Sequence, residues 1–418
     1  MLVHWIWLAT RTNISDRVKV QLVRQFQDPE TVYFADGDAY LQVEGLSPEG
    51  REALLDKNLR DAEKILDDCD RENLHILTYR DAAYPKRLQN ITDPPLVFYY
   101  KGRLPDFDGT PVIGVVGTRG ASPYGLTVAK RMGYQIAKCG GMVVSGMAAG
   151  IDGMAMRGAL TAGGTAVGIL GCGADVVYPL SNRPLFSDTE QYGCIMSEFP
   201  PGTPPVGWNF PKRNRIISGL SNGVLIIEAP EKSGALITAN LAADQGRDVF
   251  VVPGNIDIPS CVGSNRLLRD GAIAVSSGWD VLSEYESQYP GKVCKNTAPS
   301  TQNAYPDEGV AALESEKPEP KVAQKPRILA KNKPSKSKND KKAIDNGATT
   351  AYSDLNDTLA SLSPDEQKIV SALKNGERLV DDVIAETGLT TGKVLATLTL
   401  LEVKGVVKRL PGRQITLK

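Results

Sequence analysis

Val112-Ile113-Gly114-Val115-Val116-Gly117-Thr118-Arg119-Gly120-Ala121-Ser122-Pro123 is an apolar run, a glycine turn and a helix start, in that order. An unbroken apolar run is the pattern of a strand buried on both faces. Ser122 suits an N-cap and Pro123 the first helical position, so the spacing predicts a helix beginning there. Outward from this unit the pattern recurs. Met142–Ser145, Thr165–Leu170, Cys194–Ser197, Val224–Ile227, Val249–Val252 and Ile273–Val275 are further short apolar runs, each followed by a helical pattern. Residues 111–285 are therefore expected to form an α/β, extended Rossmann-like core, a doubly wound parallel sheet with its site at the carboxyl ends of the strands.

The strand-to-helix turns carry the candidate site. A helix N-terminus offers free N–H groups and partial positive charge, which suits phosphate. In the first turn Gly117 admits close backbone approach, Thr118 and Ser122 add hydroxyls, and Arg119 can fork onto phosphate oxygens. In Ser145-Gly146-Met147-Ala148-Ala149-Gly150-Ile151-Asp152-Gly153, Ser145 and Gly146 are donors and Asp152 is expected to cap the next helix. Gly171-Cys172-Gly173-Ala174-Asp175-Val176-Val177-Tyr178-Pro179 follows the third strand. Tyr178 there can stack on a base or simply pack. Nothing basic lies near Cys172 in sequence to lower its pKa, so it is not read as a nucleophile. Phe210-Pro211-Lys212-Arg213-Asn214-Arg215 places three cations and an amide in a row, a basic segment that a long polyanion would neutralise. Ser233 and Gly234 open another helix, and Glu228 ends the strand before them. That glutamate is read as pairing with a nearby arginine to hold the pocket rigid, because no second acid stands beside it.

Composition narrows the chemistry. The chain has 418 residues, enough for several domains, and a formal net charge of -1, so any nucleic-acid contact must be a local patch. Its two histidines, His4 and His75, lie outside the glycine-rich core, which excludes a His-based metal site or Ser-His-Asp triad there. No catalytic residue, metal ligand or cofactor is assigned. Six scattered cysteines without a C-x-x-C pair fit reduced thiols in a cytoplasmic protein. The apolar start Met1–Thr10 reads as a buried first helix, and no apolar run is long enough to span a bilayer.

Around the core lie four further segments. Residues 1–75 are helical in pattern, with Leu22, Val23 and Phe26, and Leu54, Leu55 and Leu59, at helical spacing. Within them Gly45-Leu46-Ser47-Pro48 makes a turn and helix start, as in a SAM or helix-hairpin-helix-like module. The turn lacks basic residues, which favours a packing hairpin over a DNA contact. Residues 76–110 read as a connector with two strands, Ile76–Tyr79 and Leu96–Tyr100. Residues 286–358 lose apolar periodicity. From Lys317 to Lys342 ten residues are Lys or Arg and two are acidic, the composition of a disordered basic linker. Residues 359–418 have a capping box at Ser363–Glu366, helices expected at 364–374, 379–386 and 391–404, and a hairpin at 406–417, together a winged helix. Its third helix is poor in base-reading groups, so a protein contact or loose backbone contact through Lys408, Arg409 and Arg413 are both open.

These motifs, in this order, resemble the DprA/Smf family of DNA-processing proteins. The resemblance runs through Gly117–Gly125, Ser145–Asp152, Gly171–Pro179, Ser197–Pro200, Phe210–Arg215, Ser233–Ala239, Gly246-Arg247, Val252–Gly254 and Gly263–Asn265. It implies a homodimer that binds single-stranded DNA without sequence preference, protects incoming DNA and loads the RecA recombinase on it in natural transformation. Arg119 and Lys212–Arg215 would be the DNA-binding residues. The chain departs from the family pattern at Ala149, where a basic residue is frequent, and at Met156, where a histidine is frequent. The rival from another class is a phosphoribohydrolase of the lysine-decarboxylase-like type. Its Pro-Gly-Gly-x-Gly-Thr phosphate loop is absent, and Ser233-Gly234-Ala235 stands there. A nucleotide-sensing regulator whose winged helix binds duplex is a third reading.

Overall fold

The computed structural model describes residues 1–295 and, further on, 363–373, 378–390, 393–394, 397–398, 401–402, 406–410 and 414–417. The chain divides into two compact units, one holding residues up to 320 and the other the rest. The basic linker expected at 286–358 lies outside the described residues from 296 on.

In the first unit nine strands form one sheet: β1 (His75–Thr78), β2 (Val97–Gly102), β3 (Val112–Val116), β4 (Met142–Ser145), β5 (Ala166–Ile169), β6 (Cys194–Ser197), β7 (Gly223–Ile226), β8 (Asp248–Val251) and β9 (Ile273–Ala274). Their order is β1-β2-β6-β5-β4-β3-β7-β8-β9. From β6 to β9 neighbours are parallel. The chain winds outward from β3 to β6, then returns to β7 on the other side of β3. That makes β3/β7 the switch point of a doubly wound fold. Both faces are covered, which explains the unbroken apolar runs. Val112 and Val116 join one buried cluster, and Ile113 and Val115, of opposite parity, join the other.

Residues 76–110 are more than a connector. β2 pairs antiparallel with β6 and β1 with β2, so this segment extends the sheet at its edge. The N-terminal helices are α1 (Leu2–Thr10), α2 (Asp16–Phe26), α3 (Pro29–Phe34), α4 (Pro48–Leu55) and α5 (Arg60–Glu72), and α6 (Lys86–Gln89), α7 (Pro123–Lys138), α8 (Ile151–Thr161), α9 (Arg183–Tyr192), α10 (Asn209–Leu220) and α11 (Gly234–Asp244) follow. Ser47 caps α4 with Pro48 in its first turn, and Gly45 takes φ +77°, as the turn chemistry requires. These helices share a core with the sheet. Trp7, Leu22 and Leu54 are buried in the cluster that also holds Leu88, Phe98 and Val112.

In the second unit Ser363 and Glu366 form the expected capping box on helix Pro364–Ala372. Helix Val380–Thr387 and a three-stranded sheet follow, with Val407–Leu410 and Gln414–Leu417 antiparallel. Lys393 lies in the expected third helix and pairs with Asp365 at 2.8 Å. Most of that helix and Arg413 lie outside the described residues.

Candidate nucleic-acid interface

The carboxyl ends of β3, β4 and β5 meet α10 (Asn209–Leu220) around a pocket of about 210 Å³. Its walls include Arg119, Ala148, Gly171, Tyr178, Phe210 and Arg213. The pocket sits beside the switch point, not in it. At the β3/β7 crevice Glu228, 1 % exposed, accepts from the Ser122 N–H (2.9 Å), the Ser122 hydroxyl (2.5 Å) and the Ser260 hydroxyl (3.2 Å). Glu228 is thus held by serines, where an arginine was expected. Ser122 also accepts from Gly125 N–H as the N-cap of α7 (Pro123–Lys138), so its one donor hydrogen is committed to Glu228.

Arg119 is exposed in the β3 turn, and its guanidinium lies 5.2 Å from the centre of the Phe210 ring. Among the described residues it makes no ion pair. Gly150 shapes this turn from the outside. It has φ +80°, and a Cβ there would lie 2.5 Å from Thr118 O and 2.7 Å from Arg119 O. The Tyr178 ring, partly exposed, packs 5.5 Å from Phe210. The pocket therefore pairs an aromatic floor with a cation whose charge is not neutralised by a protein carboxylate.

The backbone N–H groups of Gly117 and Gly146, expected to cradle phosphate, are already occupied. The buried Asp152 carboxylate accepts from Gly117 (3.3 Å) and Gly146 (3.1 Å). Asp152 stands in the first turn of α8 (Ile151–Thr161), yet it reaches back to two strand ends, a different task from plain capping. Burial raises its pKa, with Arg213 and these N–H groups opposing. Ser145 is also turned inward. It is fully buried and donates to Val115 O at 2.6 Å. Thr118 O accepts from Ile151 N–H, and its hydroxyl accepts from Gly120 N–H.

The basic segment Lys212–Arg215 does not form one stripe, because successive helical residues point about 100° apart. Arg213, 4 % exposed, donates to Gly146 O (3.0 Å) and Ile169 O, and its Nε to the Asn214 side-chain oxygen. Burial lowers its pKa to about 10 against the pull of Asp152. Asn214 turns toward α11 (Gly234–Asp244), donating to Gly234 O at 3.3 Å. Arg215, also 4 % exposed, meets both Glu198 oxygens at 2.7 Å, Asp93 at 3.0 Å and Asp16 at 3.2 Å. It clamps α2, the β1–β2 segment and the end of β6 onto the helix. Burial alone would lower its pKa, and the carboxylates more than offset this. Lys212 is the half-exposed member, 3.0 Å from Asp16 and 3.4 Å from Glu198. Ser233 caps α11 through Ala235 N–H, and Gly234 is exposed beside it.

Of the sequence-derived site residues, then, Arg119, Gly146 and Arg213 line the pocket, while Ser145, Arg215 and the N–H groups of Gly117 and Gly146 serve the scaffold. Phe210 as a wall under Arg119, and Asp16 and Glu198 as partners of Lys212, escaped the sequence reading. The one sequence signal among them was the acid Glu198 itself, standing immediately after the apolar run Cys194–Ser197. Cys172 is buried, and burial pushes its thiol up to about 11, consistent with an inert role.

Comparison with known proteins follows the same lines. The family model described as DNA recombination-mediator protein A matches residues 75–286, and that of the DprA winged helix domain matches residues 354–413. A protein named Smf from Synechocystis is 32% identical over 98% of this chain and 97% of its own length. A DNA processing protein DprA from Streptococcus pneumoniae is 41% identical over 49% of this chain and 72% of its own. The X-ray structure of DNA processing protein A from the same organism superposes with a TM-score of 0.60 at 31% identity, covering 68% of this chain and 98% of that one. A Rossmann-like core joined to a winged helix defines a class of DNA-processing proteins. The chain belongs to the DprA/Smf family.

Proposed function

We propose that this protein binds single-stranded DNA without sequence preference and acts on it as a binder, not a catalyst. The observation that carries the reading is Arg119, exposed and unpaired among the described residues, poised over Phe210 at the strand-end pocket. A phosphate can take the guanidinium while an unpaired base meets the aromatic floor, and every base offers a π-face. Lys212, half-exposed on the same helix as Phe210, extends the track. Glu228 supports the non-catalytic reading. The strand-end carboxylate is buried against Ser122 and Ser260 and does not line the pocket.

In the same reading the protein works as a homodimer in the cytoplasm, doubling the track and its avidity. It protects incoming strands and hands them to the RecA recombinase. No helix among the described residues is long and apolar enough to cross a membrane. The test is competition. A labelled single strand bound by the full chain should be displaced by unlabelled single strand and poorly by duplex of the same sequence, and the complex should shorten the lag of RecA assembly on that strand. Release of adenine from AMP by the purified protein, with no strand binding, would overturn the proposal in favour of the hydrolase reading.

A further inference from the structure

Trp208 is 76% exposed, and it stands immediately before α10, two residues ahead of the pocket wall Phe210. An indole left this open to water presents its π-face beside a charged cleft, and every nucleobase offers a matching face. The other aromatic groups of this edge form the pocket floor: Tyr178 packs on Phe210, and Phe210 lies under Arg119. No ring or cation contact of Trp208 occurs among the described residues. Lys212 follows it by four residues, the spacing that puts two side chains on one helical face. The Lys212 ammonium is half-exposed and held by Asp16 and Glu198.

We infer that Trp208 is a second stacking platform, taking one unpaired nucleobase of a strand whose adjoining phosphate meets Lys212. Resting on the proposed single-strand binding, this adds a subsite outside the pocket. It also assigns the chemistry taken there, the π-face of a base with no hydrogen-bond selection. A platform of this kind adds affinity only when the ligand carries bases, whereas the cations act on phosphates alone.

That difference supplies the experiment. Labelled oligothymidylate and an abasic oligonucleotide with the same number of phosphates are titrated with the full-length protein, wild type, Trp208→Ala, Trp208→Phe and Arg119→Ala. Wild type should prefer the base-bearing strand. Trp208→Ala should lose about five- to a hundred-fold in affinity for oligothymidylate, the range for one stacked base. It should bind the abasic strand as wild type does, and Trp208→Phe should recover most of the loss. Arg119→Ala should weaken both ligands. Unchanged oligothymidylate binding by Trp208→Ala, with Arg119→Ala impaired, overturns this inference and leaves strand binding intact. Wild type that binds neither oligonucleotide overturns both.

Discussion

Arg213 and Arg215, two residues apart on α10, end in separate environments: Arg213 donates to the strand-end carbonyls of Gly146 and Ile169, and Arg215 grips the Glu198 carboxylate. A run of cations that reads as one polyanion-binding patch is thus divided by helical geometry. One arginine props the pocket from behind, one locks the N-terminal helices to the core, and Lys212 alone of the three keeps an exposed ammonium.

Replacing Arg215 with Met therefore acts on stability. It leaves Glu198 buried without its partner and frees Asp16 and Asp93, which should cost about 3–5 kcal/mol. The urea midpoint should fall by the corresponding amount, while the salt dependence of strand binding by the folded fraction stays as in wild type.

Asp152→Ala removes the acceptor of both Gly117 and Gly146 N–H groups and leaves Arg213 buried beside an empty site. The expected loss is again about 3–5 kcal/mol by chemical denaturation. A variant as stable as wild type would show that these N–H groups find other partners.

Most of the core was legible in the sequence for a physical reason. Parallel strands buried on both faces are written as unbroken apolar runs, so Val112–Val116 and Met142–Ser145 match the strands to the residue. The edge strands β1 and β2 were visible as strands but not as part of the sheet, because antiparallel pairing of Tyr100 with Met196 joins residues far apart in sequence. The site shows the same limit. Arg119 is recognisable in its own turn, whereas the Asp152 bridge between Gly117 and Gly146 exists only once two loops are brought together. Ser145 read as a ligand donor because sequence carries no sign of the inward rotamer that reaches Val115 O.

Lys212 divides its charge between Asp16 and any incoming phosphate. Asp16→Asn should release it, and because the pair is partly exposed the gain is modest, up to about five-fold tighter strand binding at low salt. Fluorescence anisotropy of wild type and variant at one ionic strength decides it, and an unchanged affinity would remove Lys212 from the track.

Acid should loosen the same junction. Burial pushes the Asp16 carboxyl up, but Lys212, Lys19 and Arg215 outweigh it and hold its pKa below the ordinary value. A depressed folded pKa gives stability that is complete above the unfolded value near 4 and is lost as pH falls through the folded one. Thermal midpoints measured from pH 6 downward should drop more steeply below about pH 4 in wild type than in Asp16→Asn, which lacks this carboxyl.

The most direct test of the central claim is the affinity of wild type and Arg119→Ala for a labelled single strand, measured by anisotropy across a series of salt concentrations. Arg119 is exposed, so its loss should spare the fold, confirmed by an unchanged denaturation midpoint. The account predicts that log Kd rises linearly with log salt for wild type, and that Arg119→Ala binds more weakly with a slope shallower by about one phosphate contact. Equal affinities and equal slopes would contradict it and place the DNA track elsewhere on the protein.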